Sequence, residues 1–227
     1  MTTGVAVFLQ DPKMVQDRNL TSPDLIPDLI ADLIPKAQMG ETYLLSVLFL
    51  REMLAHMGLP VLWVVSPDSF FVEAWEGQRL GQSESLVICA GGAGIRKHQI
   101  YERIQKTHQN ALIIDYDAPY LIHECVREAM EILQGEDFVL GESETGHCAL
   151  FGGRLALSSI LWLSVPWGKD QAVHRLSALL PVPPVRIATP HCVRSLKDLE
   201  AIEQAMDRMR LGAFDRQETQ IGFKTTT

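Results

Sequence analysis

No two of the four cysteines, Cys89, Cys125, Cys148 and Cys192, form a Cys-x-x-Cys pair. That spacing excludes a disulfide framework or a cysteine-built zinc site and fits reduced, structural thiols in a cytosolic protein. Positive charge is also in short supply: the formal net charge is −8. A nucleic acid or an anionic membrane surface would want a basic face, so neither is an expected partner. A nucleotide needs only a local cradle and stays open. Long apolar runs are missing too. The longest, Tyr43 to Leu50, falls far short of a membrane span, and Met-Thr-Thr-Gly at the start lacks the basic region of a signal peptide. A cytoplasmic location is expected. There is no Gly-x-Ser-x-Gly, no phosphate-binding Gly-x-x-x-x-Gly-Lys-Ser/Thr, no dinucleotide fingerprint and no His-x-x-x-His.

What is present is an ordinary globular chain of 227 residues, 47% apolar and 21% charged. Short apolar runs alternate with helical patterns. Strands are expected at Val5–Leu9, Pro60–Val65, Leu86–Ala90, Ala111–Ile114, Phe138–Leu140, Ala149–Phe151 and Val185–Ala188. Helices are expected at Glu41–Met57, stopped by Gly58, and at Pro67–Trp75, Arg96–His108, Pro119–Leu133, Lys169–Leu180 and Ser195–Met209. Pro23-Asp24-Leu25-Ile26 is echoed twice before Ile34 and reads as an amphipathic helix, either packed on the core or acting as a lid. Unalternating strands between helices imply an α/β fold, with a mostly parallel sheet covered on both faces. One domain is expected over residues 1–211, followed by a polar tail over 212–227. In such sheets ligands bind beyond the carboxyl ends of the strands.

That rule directs attention to Asp115-Tyr116-Asp117, at the end of the fourth strand. Side chains two apart on an extended chain point the same way. Asp115 and Asp117 could therefore share Mg²⁺ or Mn²⁺ and, through it, the diphosphate of a nucleotide. The alternative is that one of them caps the helix expected from Pro119. Gly91-Gly92-Ala93-Gly94, followed by Arg96 and Lys97, offers amides and bases suited to phosphate, or else a tight structural turn. Arg18 could reach a phosphate or stay solvated. Glu144 and His147 could act as base or ligand, or decorate a polar hairpin. Trp167 and Asp170 could wall an acceptor, or be a buried indole and a residue near a helix start.

The ordered set of these elements resembles the radical-SAM/selenodomain-associated transferase family (first type), itself similar to the nucleotide-diphospho-sugar transferases of GT-A fold. Val5-Ala6-Val7-Phe8 with Pro12 resembles the first strand and its proline. Gly92-Ala93-Gly94-Ile95-Arg96 falls on an Asp-Leu-Gly-x-Arg element, and Ile113 to Pro119 on an Ile-Gly-Ser-Asp-x-Pro segment that aligns Asp117 with the family aspartate. Gly141 through Gly146 and Leu150-Phe151-Gly152 resemble a Gly-rich hairpin, Val165-Pro166-Trp167-Gly168 an Ile-Pro-Trp-Ser element, and Ser195–Leu199 the closing Asp-Thr-Pro-Glu-Asp-Leu. The chain departs from the pattern in several places. Gln16 stands for a lysine, Gly92 or Ala93 for an acid, Thr145 for an aspartate and His147 for a glycine, while Asp115 is an addition.

The resemblance implies a single GT-A-like, Rossmann-like domain that transfers a glycosyl group from a nucleotide-sugar donor. Asp117, with Asp115, would hold the metal. Arg18, Gly92, Gly94 and Arg96 would line the nucleotide, and Glu144, His147, Trp167 and Asp170 would face an acceptor of unknown identity. Nucleotidylyl transfer on the same fold is the alternative. The lost lysine and acids leave open a third reading, a non-catalytic relative that binds a metabolite or a protein.

Overall fold

The computed structural model describes residues 2–10, 36–76, 80–116, 120–121, 123–143, 147–169, 171–187 and 191–192. Seven strands form one sheet. In chain order they are β1 (Thr3–Leu9), β2 (Val61–Val65), β3 (Glu84–Ile88), β4 (Asn110–Tyr116), β6 (Phe138–Glu142), β7 (Cys148–Gly153) and β8 (Val185–Ile187). A separate antiparallel pair joins β5 (Tyr120–Leu121) to β9 (His191–Cys192). The helices are α1 (Lys36–His56), α2 (Phe70–Glu76), α3 (Ala93–Gln105), α4 (His123–Ile132), α5 (Ser159–Leu163) and α6 (Ala172–Leu179).

The sheet order is β3-β2-β1-β4-β7-β6-β8. β3, β2, β1 and β4 run parallel, β7 is antiparallel to both its neighbours, and β8 is parallel to β6. The fold is thus α/β with a mixed, mostly parallel sheet. Both faces are covered, which is why the central strands β1 and β4 are almost uninterruptedly apolar. Alternate strand residues feed two cores. Val5, Val7, Leu112 and Ile114 pack with Tyr43, Leu50 and Leu54 of α1, Phe71 of α2 and Val126 of α4. Ala6, Phe8, Ala111 and Ile113 pack with Ile100 and Tyr101 of α3, Trp162 of α5 and Leu176 of α6. After β1 the chain moves outward to β2 and β3. After β3 it crosses back past β1 to β4, with α3 on the opposite face. Strand order therefore reverses between β1 and β4, and the crevice such a reversal opens is the usual ligand position in open α/β sheets.

Several boundaries differ from expectation. Pro67 lies in a turn rather than in a helix: α2 starts only at Phe70, where the Ser69 hydroxyl accepts from the Phe71 amide at 3.3 Å. Pro119 lies outside the described residues; Tyr120–Leu121 is strand rather than helix, and α4 begins at His123. Asp115 belongs to β4. α1 and α3 begin earlier than expected, and α6 begins later, at Ala172. α5 was not anticipated. The expected helices at Pro23–Ile34 and Ser195–Met209, and the tail, lie outside the described residues. No helix among the described residues is long and apolar enough to cross a membrane.

Candidate functional site

A cleft of about 130 Å³ opens at the carboxyl ends of β1 and β4. Phe8, Leu9, Gln10, Ala93, Arg96, Lys97, Asp115, Trp167 and Gly168 line it. A wider, shallower hollow of about 500 Å³ lies at the amino ends of the same strands, lined by Thr2, His108 and Arg154 among others. Ligand chemistry in this architecture belongs to the carboxyl ends, so the smaller cleft is the candidate site.

Its floor is set by register. Phe8 of β1 pairs with Asp115 of β4, so both side chains stand on the α3 face. Lys97 comes down from α3 onto that pair. Its Nζ lies 2.8 Å from Asp115 Oδ2, 4.4 Å from the centre of the Phe8 ring and 5.0 Å from that of Trp167. Lysine is rarely buried unless paired, and this one is only 2% exposed. The buried residues of α3 are Lys97, Ile100, Tyr101 and Ile104, a helical core stripe in which the first position is charged. The lysine stem fills an apolar position while its ammonium meets the Asp115 carboxylate on the cleft floor.

Immediately before Lys97, α3 begins without a side-chain cap. Gly92 is its N-cap, at φ −66° and ψ 156°, and Gly91 takes φ +104° to bring the chain in. The first-turn amides of a helix have no intrahelical acceptor. Gly92 is exposed, with room for a Cβ, and Ala93 lines the cleft. Gly94 has a different task. A Cβ there would strike the Trp162 carbonyl oxygen and sit 3.3 Å from Trp167 Nε1. It lets α3 pack against α5. Arg96 lines the cleft, and its buried Nε has no hydrogen-bond partner among the described residues. Such an atom carries a desolvation cost unless a ligand supplies the acceptor.

Trp167 forms one wall. Its indole N–H donates to the Trp162 carbonyl at 2.8 Å, and the two rings stack at 5.7 Å and 21°. Gly168, at φ +77°, turns the chain behind it. Tyr43 of α1 ties the opposite side of the two strand ends together. Its hydroxyl donates to the Tyr116 carbonyl at 2.7 Å and accepts from the Gln10 amide at 3.0 Å. Neither this tie nor the Lys97–Asp115 pair was anticipated from sequence. The signal for Lys97 was available, as a lysine in phase with Ile100, Tyr101 and Ile104.

Residues 51–169, which include the whole α3 element, Asp115 and Trp167, match the model of a family described as "Uncharacterized protein conserved in bacteria (DUF2064)". The chain belongs to the DUF2064 family. Among solved structures, its fold is similar to that of a protein from Desulfovibrio desulfuricans G20 provisionally assigned as a nucleotide-diphospho-sugar transferase. The identity is 17%, 86% of this chain and 84% of that one are covered, and the TM-score is 0.65. It is also similar to a 4-diphosphocytidyl-2C-methyl-D-erythritol synthase from Anaerococcus prevotii DSM 20548, at 7% identity over 91% and 96% of the two chains, with a TM-score of 0.54. At these identities the likeness establishes a shared nucleotide-diphospho-sugar transferase fold. No curated protein matches the chain.

The expected site residues of this DUF2064 member divide into three sets. Arg96, Asp115 and Trp167 meet in the cleft, and Gly92 stands at the start of the helix that closes it. His147 sits half-buried just before β7, whose antiparallel course brings its start to the carboxyl end of β4; it does not line the cleft. Arg18, Asp117, Glu144 and Asp170 lie outside the described residues. Of the two residues expected to hold a divalent cation, Asp115 and Asp117, only Asp115 is among the described residues. One of its oxygens faces Lys97, two cationic side chains share the cleft with it, and no cluster of three His, Cys, Asp or Glu occurs among the described residues. A cation site wants several oxygen donors.

Proposed function

We propose that this protein is a transferase that takes a nucleotide-linked donor, in the first instance a nucleotide sugar, and that residues 1–211 form its catalytic domain. The observation that carries this reading is the cleft at the β1/β4 reversal. An uncapped helix N-terminus, the orphaned Arg96 Nε and the Lys97 ammonium meet there on a nucleotide-diphospho-sugar transferase fold. At about 130 Å³ the described walls enclose less than the 300 Å³ or so of a small-molecule pocket, enough for the phosphate end of a donor. The nucleoside and sugar would extend past the walls. Such a transferase would be akin to the radical-SAM/selenodomain-associated transferases.

In glycosyl transfer the acceptor hydroxyl oxygen bonds to the anomeric carbon. The carbon–oxygen bond to the diphosphate breaks, and its electron pair passes to the diphosphate oxygen. Arg96 and Lys97 stabilise the charge that grows there. Glu144 or His147 takes the acceptor proton, while Trp167 and Asp170 face the acceptor and Arg18 the donor. Asp117 is the residue that would hold a divalent cation.

The test is calorimetric titration of purified protein with nucleoside diphosphates, nucleoside triphosphates and nucleotide sugars, followed by incubation of any binder and analysis of products. Binding that weakens at least about tenfold in Arg96→Gln supports the reading. Release of a free nucleoside diphosphate marks glycosyl transfer, whereas consumption of a nucleoside triphosphate with release of pyrophosphate marks the nucleotidylyl alternative. No binding across the panel would overturn the proposal.

A further inference from the structure

We propose that the cleft binds a diphosphate without a metal, with Lys97 supplying the positive charge that a divalent cation at Asp115 would otherwise bring. This deepens the transferase reading and rests on it for the donor's identity, but not for the anion site itself.

Four observations point the same way. Lys97 is one of the residues that line the cleft, and its ammonium sits on the Asp115 carboxylate beside it. Asp115 contacts it through Oδ2 at 2.8 Å, which fixes the ammonium while leaving its other protons available; an ammonium has three to donate. Arg96, the neighbouring residue on α3, has no partner for its buried Nε among the described residues. The first turn of α3 presents amides without a side-chain cap. Together these make a concave donor set with more positive than negative charge among the described residues. A second cation would be repelled from it, and a phosphate would find an acceptor's place waiting. The Asp115 carboxylate and the lysine it holds form one unit. Asp115 is a positioning residue and Lys97 the ligand contact.

The chemical class of ligand is a diphosphate ester, probed with inorganic pyrophosphate. Calorimetric titration would be run with EDTA and again with excess Mn²⁺, on wild type, Asp117→Ala, Lys97→Met and the isosteric uncharged pair Lys97→Met/Asp115→Asn. The expected result is pyrophosphate binding in EDTA, changed by less than about threefold by Mn²⁺ or by Asp117→Ala. In the double variant binding should weaken at least about tenfold. Circular dichroism checks folding. If Lys97→Met alone does not fold, the double variant, which strands no charge, carries the comparison. Binding that appears only with Mn²⁺, or that survives in the double variant, overturns the inference. The two proposals fail separately. Metal-free pyrophosphate binding without any nucleotide binding defeats the transferase reading alone. Nucleotide binding that needs Mn²⁺ defeats the metal-free site alone.

Discussion

The Lys97 ammonium and the Asp115 carboxylate lie 2.8 Å apart at the carboxyl ends of β1 and β4, with 3% of the lysine side chain exposed and 21% of the aspartate. The asymmetry has an energetic consequence. Asp115→Asn strands a charge that water scarcely reaches and should cost about 3 kcal/mol or more of stability. Lys97→Met strands a carboxylate that can rehydrate at the cleft mouth and should cost less, about 1–2 kcal/mol. The double substitution should be milder than the sum of the two, with a coupling of about 0.5–3 kcal/mol. Urea denaturation of the four proteins measures it. Strict additivity would mean that the pair does not act as a unit.

Gly92 and Gly94 are two residues apart and should respond oppositely to alanine. At Gly92 an added Cβ meets nothing within 4 Å, and φ is −66°. Gly92→Ala should change stability by no more than about 0.5 kcal/mol. At Gly94 the Cβ would collide with the Trp162 carbonyl oxygen, which also accepts from Trp167. Backbone cannot step aside as a side-chain tip can, so Gly94→Ala should cost about 1–3 kcal/mol. Thermal unfolding that ranked the two variants the other way would show that α3 does not pack on α5 as described.

Strands β1 to β4 were legible because they contain continuous apolar runs, and the α/β class followed from their alternation with helices. What the runs did not reveal was where β4 ends. Asp115 and Tyr116 look like loop residues, yet the Asp115 carboxylate is satisfied by Lys97 and the Tyr116 carbonyl by Tyr43, so the strand continues. α5 was invisible for another reason. At five residues, Ser159–Leu163, it is too short to show a period, and only Ser158, whose hydroxyl accepts from the Leu161 amide, marks its start. The insertion of β7 between β4 and β6 is a tertiary outcome with no local signal. At the site, residue types announced Arg96, Asp115 and Trp167. The partnership of Asp115 with a lysine eighteen positions earlier needed the register of β1 and β4 and the phase of α3.

Away from the site, Glu84 holds α1 against the outer strands. Its carboxylate accepts from Arg51 Nε at 2.9 Å, Arg51 Nη2 at 2.8 Å, Trp63 Nε1 at 3.0 Å and the Gly81 amide at 2.7 Å. Burial pushes this carboxyl up, but the hydrogen bonds from Arg51, Gly81 and Trp63 outweigh it and hold the acid below its ordinary 4.5. The native state thus binds the Glu84 proton less readily than the unfolded chain does. Its contribution to stability is complete above the unfolded value and is lost as pH falls through the lower, folded one. Glu84→Gln should cost about 1–3 kcal/mol near neutral pH. The gap from wild type should narrow on acidification below about pH 4. Urea midpoints across that range test the sign; a gap that widened in acid would refute it.

Cys125 of α4 is buried, and burial, helped by Glu128 and Glu124, pushes its thiol up to about 11. Thiolate, not thiol, is the nucleophile. Native protein at about pH 8 should therefore alkylate only slowly at Cys125 with iodoacetamide, and the block should vanish in denaturant. Peptide mass mapping of a time course reads this. Fast native labelling at that position would contradict both the burial and the acidic surroundings.

Tyr43 is the last tie to break. Its hydroxyl serves two backbone groups at once, accepting from the part-buried Gln10 amide just beyond β1 and donating to the buried Tyr116 carbonyl at the end of β4. Phe fills the same volume, so Tyr43→Phe removes the hydrogen bonds without opening a cavity. The cost should be about 1–3 kcal/mol, set by the two hydrogen bonds removed. Because these groups flank the cleft, the effect should be local as well as global. The Gln10 amide should exchange faster with deuterium, while amides in the middle of β1 change only as much as the overall loss of stability requires. If Gln10 exchanged at the wild-type rate, the tyrosine would be a packing residue, and the strand ends that frame the cleft would be held by something else.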